Sequence, residues 1–175
     1  ELIYYGVRSA VKMNESPSLI IDIGGGSTEF IIANKKEIIW KQSFLLGAAR
    51  LMDKFKPSDP ITPQEIKQIE DHLEESLKPL FQAVLSLSAS SPPLLPKEKG
   101  ERSEVELIGS SGSFDSLAEM IGYRFYNTAV LKGRTEYDFN LTDLEKIHQV
   151  LLKSTVKDRF HMKGLTKMRA VSYTH

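Results

Sequence analysis

Apolar positions along this chain recur with two different periods. Leu2, Ile3, Tyr5, Val7 and Val11 follow helical spacing, and MNESP ends that segment at Pro17. SLIIDIG is a β-branched run bounded by turn residues, which predicts a buried strand. After a row of glycines, TEFIIAN predicts a second strand, KK a turn, and EIIWKQSFLLG a third strand in which Trp40 packs. Short connections make the three a meander. GAARLMDKF predicts a helix, which PSDP breaks. The next helix is signalled by Thr62 as N-cap, Pro63 at the first helical position and Glu65 closing a capping box. Its apolar stripe runs through Ile66, Ile69, Leu73, Leu77, Leu80, Phe81 and Val84, with a kink expected at Pro79.

The periodicity stops near Leu87. LSASSPPLLPKEKGERSE is rich in Ser, Pro and charge, so residues 87–103 are expected to form a solvated, mobile insertion. A strand, VELIGSS, resumes at Val105, and Ser113 is placed to cap a helix FDSLAEMIG. YRFYNTAVLKGRTEYDF is expected to be partly extended. Thr142 and Glu145 make a second capping box for a helix through about Ser154.

Composition narrows the function classes. The chain has 175 residues, of which 41% are hydrophobic, enough for one sizeable core. Lys plus Arg and Asp plus Glu both number 23, so no basic excess points to nucleic acid or an anionic membrane. Any anion site must be local. The absence of cysteine excludes disulfides, zinc–thiolate centres and thiol nucleophiles, and fits a reducing compartment. No apolar run reaches the roughly 20 residues of a membrane span. We expect a soluble, cytoplasmic protein. Because Glu1 opens what reads as the middle of a helix, the chain is also expected to start inside a longer protein.

The candidate chemistry lies in IDIGGGSTEF, Ile21 to Phe30. Three successive glycines permit positive φ and let backbone N–H groups approach an anion with no Cβ between them. A Walker loop needs a lysine before the hydroxyl, and a Rossmann fingerprint needs a helix after its glycines. Here Gly26 precedes Ser27 directly and the β-rich EFII follows, so both templates fail. What remains is a strand, an acid, a glycine hairpin and a strand. The amides of Gly24, Gly25 and Gly26 and the hydroxyls of Ser27 and Thr28 can donate to phosphate oxygens. Asp22 and Glu29 would repel the same anion unless Mg²⁺ or another divalent cation bridges them to it; either acid can instead orient an attacking water. The plainer alternative is an ordinary hairpin with Asp22 as turn former and Ser27 as strand start. The two acids and two hydroxyls together favour the ligand site. LIGSSGSFDS repeats the logic between a strand and a helix, where Gly109, Ser110, Ser111, Gly112 and Ser113 can take a second phosphate or form a simple capped turn.

LIYYGVR, LIIDIGGGSTEFII, LIGSSGS and MKGLTKMR together resemble the exopolyphosphatase and guanosine pentaphosphate phosphohydrolase (Ppx/GppA) family. The resemblance covers most of the chain outside the 87–103 insert and the last few residues. It implies an α/β domain of ribonuclease H-like topology, as in actin-like ATPases and sugar kinases, with a central mixed sheet flanked by helices. It also implies two lobes with phosphates bound between them. Residues 1–175 would be the second lobe, opening with a connecting helix at 1–13, and the first lobe would be absent. Asp22 and Glu29 would lie near the metal or the attacking water, with residues 22–29 and 109–113 as the two phosphate loops. The family's proposed catalytic base, a glutamate in a Glu-Glu-Ala segment before Leu-Ile-Tyr, would fall upstream of Glu1. Where the family continues with an Asp and an apolar run, this chain reads AVSYTH. Full members of the family are commonly dimers.

The implied activity is release of terminal phosphate from inorganic polyphosphate or guanosine pentaphosphate by metal-assisted attack of water. Two other readings of the same fold stay open: a non-catalytic nucleotide- or polyphosphate-binding module, and an actin-like ATPase. Among other residues, His72, His148 and His161 are read as solvated or packing side chains. Arg50, Arg134 and Arg169 can each bind phosphate. Tyr123, Phe125 and Tyr126 beside Arg124 are read as packing groups rather than a platform for bases.

Overall fold

A computed structural model describes residues 1–90, 106–166 and 169–170. Most of the expected insertion, the strand start at Val105, Lys167 and Met168 of the MKGLTKMR segment, and all of AVSYTH after Ala170 lie outside the described residues. The elements run α1 (Leu2–Ala10), β1 (Ser18–Ile23), β2 (Thr28–Ala33), β3 (Ile38–Phe44), α2 (Ala48–Phe55), α3 (Pro63–Ser76), α4 (Lys78–Ser90), β4 (Glu106–Gly109), α5 (Gly112–Ile121), a π-helical turn (Gly122–Tyr126), α6 (Leu141–Leu152) and α7 (Val156–Arg159).

The four strands form one mixed sheet in the order β3-β2-β1-β4. The meander β1-β2-β3 is antiparallel, and β4 returns parallel to β1 after the crossover through α2, α3 and α4. Alternation along the strands divides the side chains between two faces. On one face Ile20, Ile31 and Ala33 pack with Met13 under Tyr4 and Val7 of α1. On the other, Phe30, Ile32 and Phe44 pack with Leu46, Leu51 of α2 and Leu80 of α4. Away from the sheet, Met120 and Ile121 of α5 join Ile147 and Leu151 of α6 in a third cluster. Among the described residues no helix is long and apolar enough to cross a membrane.

Local expectations held for the first capping box and the strand alternation, and shifted at the later caps and where packing decided. The Thr62–Glu65 capping box is present at the start of α3. In α1 the buried pair is Tyr4 and Val7, while Leu2 and Tyr5 face outward. The kink expected at Pro79 is a break at Leu77, before the proline, because Pro79 lacks the N–H that would continue the ladder. The helix after the break runs through to Ser90, beyond the expected start of the insertion. Ser111 rather than Ser113 caps α5, and Asn140 rather than Thr142 caps α6. The stretch expected to be partly extended begins as the π-helical turn, closed by Asn127 in the left-handed region at φ 52°. Asn tolerates that conformation better than most residues.

Buried polar groups tie the last helices to the α2–α3 connection. Arg159 is 1% exposed. It donates to the carbonyls of Ser154 (2.6 Å) and Ala170 (2.8 Å) and to Asp59 Oδ1 (3.1 Å). The Asp59 carboxylate also accepts from the N–H of Val156 at the start of α7.

Candidate functional site

Antiparallel register places Asp22 of β1 directly opposite Glu29 of β2, and Glu29 opposite Ser43 of β3. The three share the face that α1 covers farther along, but they lie at the end of the strands beyond its apolar contacts. Opposed residues in such a pair hold their Cβ atoms about 5 Å apart, where like charges destabilise the sheet. Neither carboxylate has an ion-pair partner among the described residues. Burial, and secondarily the charge of Glu29, push the Asp22 carboxyl above its ordinary range. Glu29 Oε1 is held by two hydroxyls, Ser27 Oγ at 2.6 Å and Ser43 Oγ at 2.7 Å.

The glycine loop between β1 and β2 is anchored by its carbonyls, not its amides. Gly24 O accepts from Ala48 N, and Gly25 O accepts from the N–H groups of Ala49 and Arg50, so the loop caps the first turn of α2. Arg50 Nε adds a bond to Gly26 O at 3.0 Å. Gly24 N–H closes the turn onto Ser27 O. The amides of Gly25, Gly26 and Ser27 have no acceptor among the described residues. Gly47 makes the close approach possible, because any Cβ there would overlap the backbone of Gly25 and Ser27.

Positive φ is not the reason for the three glycines: the glycines in that region are Gly133 and Gly164. A Cβ at Gly24 would press on Ser27 O at 3.0 Å, whereas one at Gly25 would meet only Ala49 at 3.9 Å and one at Gly26 nothing within 4 Å. The fold therefore has room for side chains at Gly25 and Gly26, and their deletion leaves the three N–H groups that have no acceptor among the described residues open to approach. The Thr28 hydroxyl does not join them. It is buried and donates to Leu46 O at 3.0 Å, pinning β2 to the β3–α2 link.

Parallel pairing brings the second loop to the same edge of the sheet. Ile21 pairs with Gly109, and Ser110 N–H donates to Ile21 O at 2.7 Å, beside Asp22. Gly109 gives way to the ring of Phe114, and Gly112 to the guanidinium of Arg169, whose Nη1 donates to Ser116 Oγ at 3.0 Å. Ser113 N–H is taken by the Ser111 hydroxyl. This loop is thus the more internally bonded of the two.

The structure sets apart several other candidates. His72 stacks near Phe55 and meets Lys54 Nζ, and His161 Nδ1 lies against Lys157 O. Phe125 packs in the third cluster, and the Tyr126 hydroxyl donates to Asp143 at 2.5 Å. Sequence reasoning passed over Gly47 and Ser43. A glycine before an N-terminal helical turn signals the first only weakly, and Ser43 has no signal without the strand register. Among the described residues no group of three or more His, Cys, Asp and Glu comes together, so Asp22 and Glu29 stand as a pair.

Comparison with known proteins joins these observations. A crystal structure of an exopolyphosphatase from Cytophaga hutchinsonii is 37% identical and superposes with a TM-score of 0.84, over 99% of this chain and 51% of that one. A Ppx/GppA phosphatase from Aquifex aeolicus, 20% identical with a TM-score of 0.68, shares the fold over 98% of this chain and 50% of its own. Exopolyphosphatase 1 of Mycobacterium bovis is 28% identical over 169 residues, 97% of this chain and 44% of that protein. The chain thus spans about half the length of the relatives it matches. Its fold is the expected actin-like α/β arrangement, a mixed sheet flanked by helices. Residues 1–174 match the Ppx/GppA phosphatase family model, and the chain belongs to that family.

Proposed function

We propose that the protein carrying this chain is a phosphohydrolase that releases the terminal phosphate of inorganic polyphosphate. One observation carries the reading: a like-charged pair, Asp22 and Glu29, with no cationic partner among the described residues, stands beside a glycine loop in which the N–H groups of Gly25, Gly26 and Ser27 have no acceptor among those residues. A cation for the acids and an anion for the amides together are what a metal–phosphate ligand offers. The names of the relatives, exopolyphosphatases, support polyphosphate as that anion.

The residues fit Mg²⁺, which is commonly held by one or two carboxylates plus waters and substrate phosphates. Asp22 and Glu29 would hold it, and when bound it would neutralise charge on the phosphoryl oxygens. The amides of Gly25, Gly26 and Ser27 would hold oxygens of the terminal phosphate, and the loop at Ser110 would flank the chain that follows. A water oxygen attacks the terminal phosphorus, the P–O–P bridge breaks, and orthophosphate leaves from a polyphosphate one unit shorter. The proton of that water would pass to a base, for which the resemblance implies a glutamate upstream of Glu1. Guanosine pentaphosphate presents the same terminal anhydride and is the second substrate to test.

Phosphate release from polyphosphate, guanosine pentaphosphate and ATP, with Mg²⁺ and with chelator, tests the reading. Mg²⁺-dependent release from polyphosphate, lost in Asp22→Ala and Glu29→Ala, is expected. Polyphosphate binding that ignores Mg²⁺ and both substitutions would overturn it.

A further inference from the structure

We infer that Ser43 is a positioning residue for the metal-binding carboxylate, an inference that rests on the phosphohydrolase reading above. Its hydroxyl donates to Glu29 Oε1 at 2.7 Å from the neighbouring strand. Hydrogen bonds from hydroxyls to an ionised carboxylate are short and about twice as strong as neutral ones. Ser27 donates to the same oxygen at 2.6 Å from two residues earlier in the chain. With both hydroxyls on Oε1, that oxygen is held in place and Oε2, which has no donor among the described residues, is left for a ligand.

The two serines differ in what holds them. Ser27 belongs to the glycine loop, the element that a phosphate would contact. Ser43 sits on β3 within the antiparallel ladder, next to Phe44, which is 7% exposed and packed in the core under α2. A site residue is best oriented by a group on a rigid element. Ser43 is itself exposed, and β-branched residues suit such a strand position better than serine. Its hydroxyl is therefore the part of the side chain with work to do, and that work is on Glu29.

Groups that orient a metal ligand typically change affinity by about 10–100-fold when removed. The test is Mn²⁺ binding, followed by water-proton relaxation, in the complete protein carrying this chain and in Ser43→Ala, Ser43→Thr and Glu29→Gln. Ser43→Ala should weaken Mn²⁺ by about tenfold, and Ser43→Thr, which keeps a hydroxyl on the same strand, should bind nearly as the parent. Thermal unfolding in chelator should show both serine variants folded and cooperative, with Ser43→Thr at least as stable as Ser43→Ala. If Glu29→Gln weakens Mn²⁺ and Ser43→Ala does not, the positioning role falls and the metal site stands. Equal loss in Ser43→Ala and Ser43→Thr also overturns the role, since the hydroxyl is then not what matters. If Glu29→Gln leaves Mn²⁺ binding intact, the underlying site reading falls instead.

Discussion

Asp22→Asn should make the metal-free protein more stable while removing its ligand response. Asp22 and Glu29 are directly opposed on β1 and β2, and neither has a cationic partner among the described residues. Two unit charges about 5.5 Å apart repel by about 0.8 kcal/mol in bulk water and about 3 kcal/mol at an effective dielectric of 20. Both side chains are half-buried at the sheet end, and cross-strand pairs contribute about 0.2–1 kcal/mol. We therefore expect a gain of about 1 kcal/mol, a rise of about 2–4 °C in Tm for a chain of this length. The gain must depend on pH. The Asp22 carboxyl is raised above its ordinary 3.8, first by burial and then by Glu29. A raised group contributes its stability fully below its unfolded value, and that contribution disappears as pH rises through the folded value. The parent is thus penalised at neutral pH and relieved in acid, so the advantage of Asp22→Asn should be full near pH 7.5 and vanish as pH falls towards the ordinary carboxylate range. Adding Mg²⁺ with polyphosphate should then raise the Tm of the parent and not of the variant, since only a ligand bound to the folded state stabilises it. Calorimetric unfolding in chelator, repeated across pH and with ligand, checks each part. An unchanged or lower Tm at pH 7.5, or an equal gain in acid, refutes the repulsion.

The glycines at the loop separate two roles. Gly47→Ala should destabilise the fold by about 1–3 kcal/mol, read by urea unfolding, because the atoms it meets are backbone and cannot swing aside. Gly26→Ala should unfold like the parent yet bind polyphosphate more weakly, since its Cβ meets no protein atom within 4 Å but stands beside the open amides. Equal polyphosphate affinity would show that nothing approaches there. Arg159→Met should lose about 2–4 kcal/mol by stranding the buried carbonyls of Ser154 and Ala170. Asp59 adds little to that loss, being 38% exposed and able to turn to water. A change under about 1 kcal/mol would mean the site repacks.

Short-range physics was legible in the residues. A capping box closes within four positions, so Thr62 and Glu65 announce α3 before any partner is known. Alternation of period two puts Ile20 and Asp22 on one face of their strand, and Glu29 and Ile31 on one face of the next. The glycine hairpin with its acids was visible as chemistry for the same reason: everything it needs lies within ten residues. Caps separated by a residue or two from their helices were less legible. Ser111 and Ser113, or Asn140 and Thr142, offer similar side chains, and the winner is whichever helix start its neighbours can pack. The register of the strands and the return of β4 to β1 were not legible. Ile21 meets Gly109 across a crossover of nearly half the chain, and Glu29 meets Ser43 only because β2 and β3 pair in one register and not another. A slip by one residue would move Ser43 to the opposite face. Local propensity favours neither register. Burial of Phe30, Ile32 and Phe44 against α2 and α4, with Ile20 and Ile31 under α1, selects the register in which two carboxylates, two loops and a serine meet at one edge of the sheet.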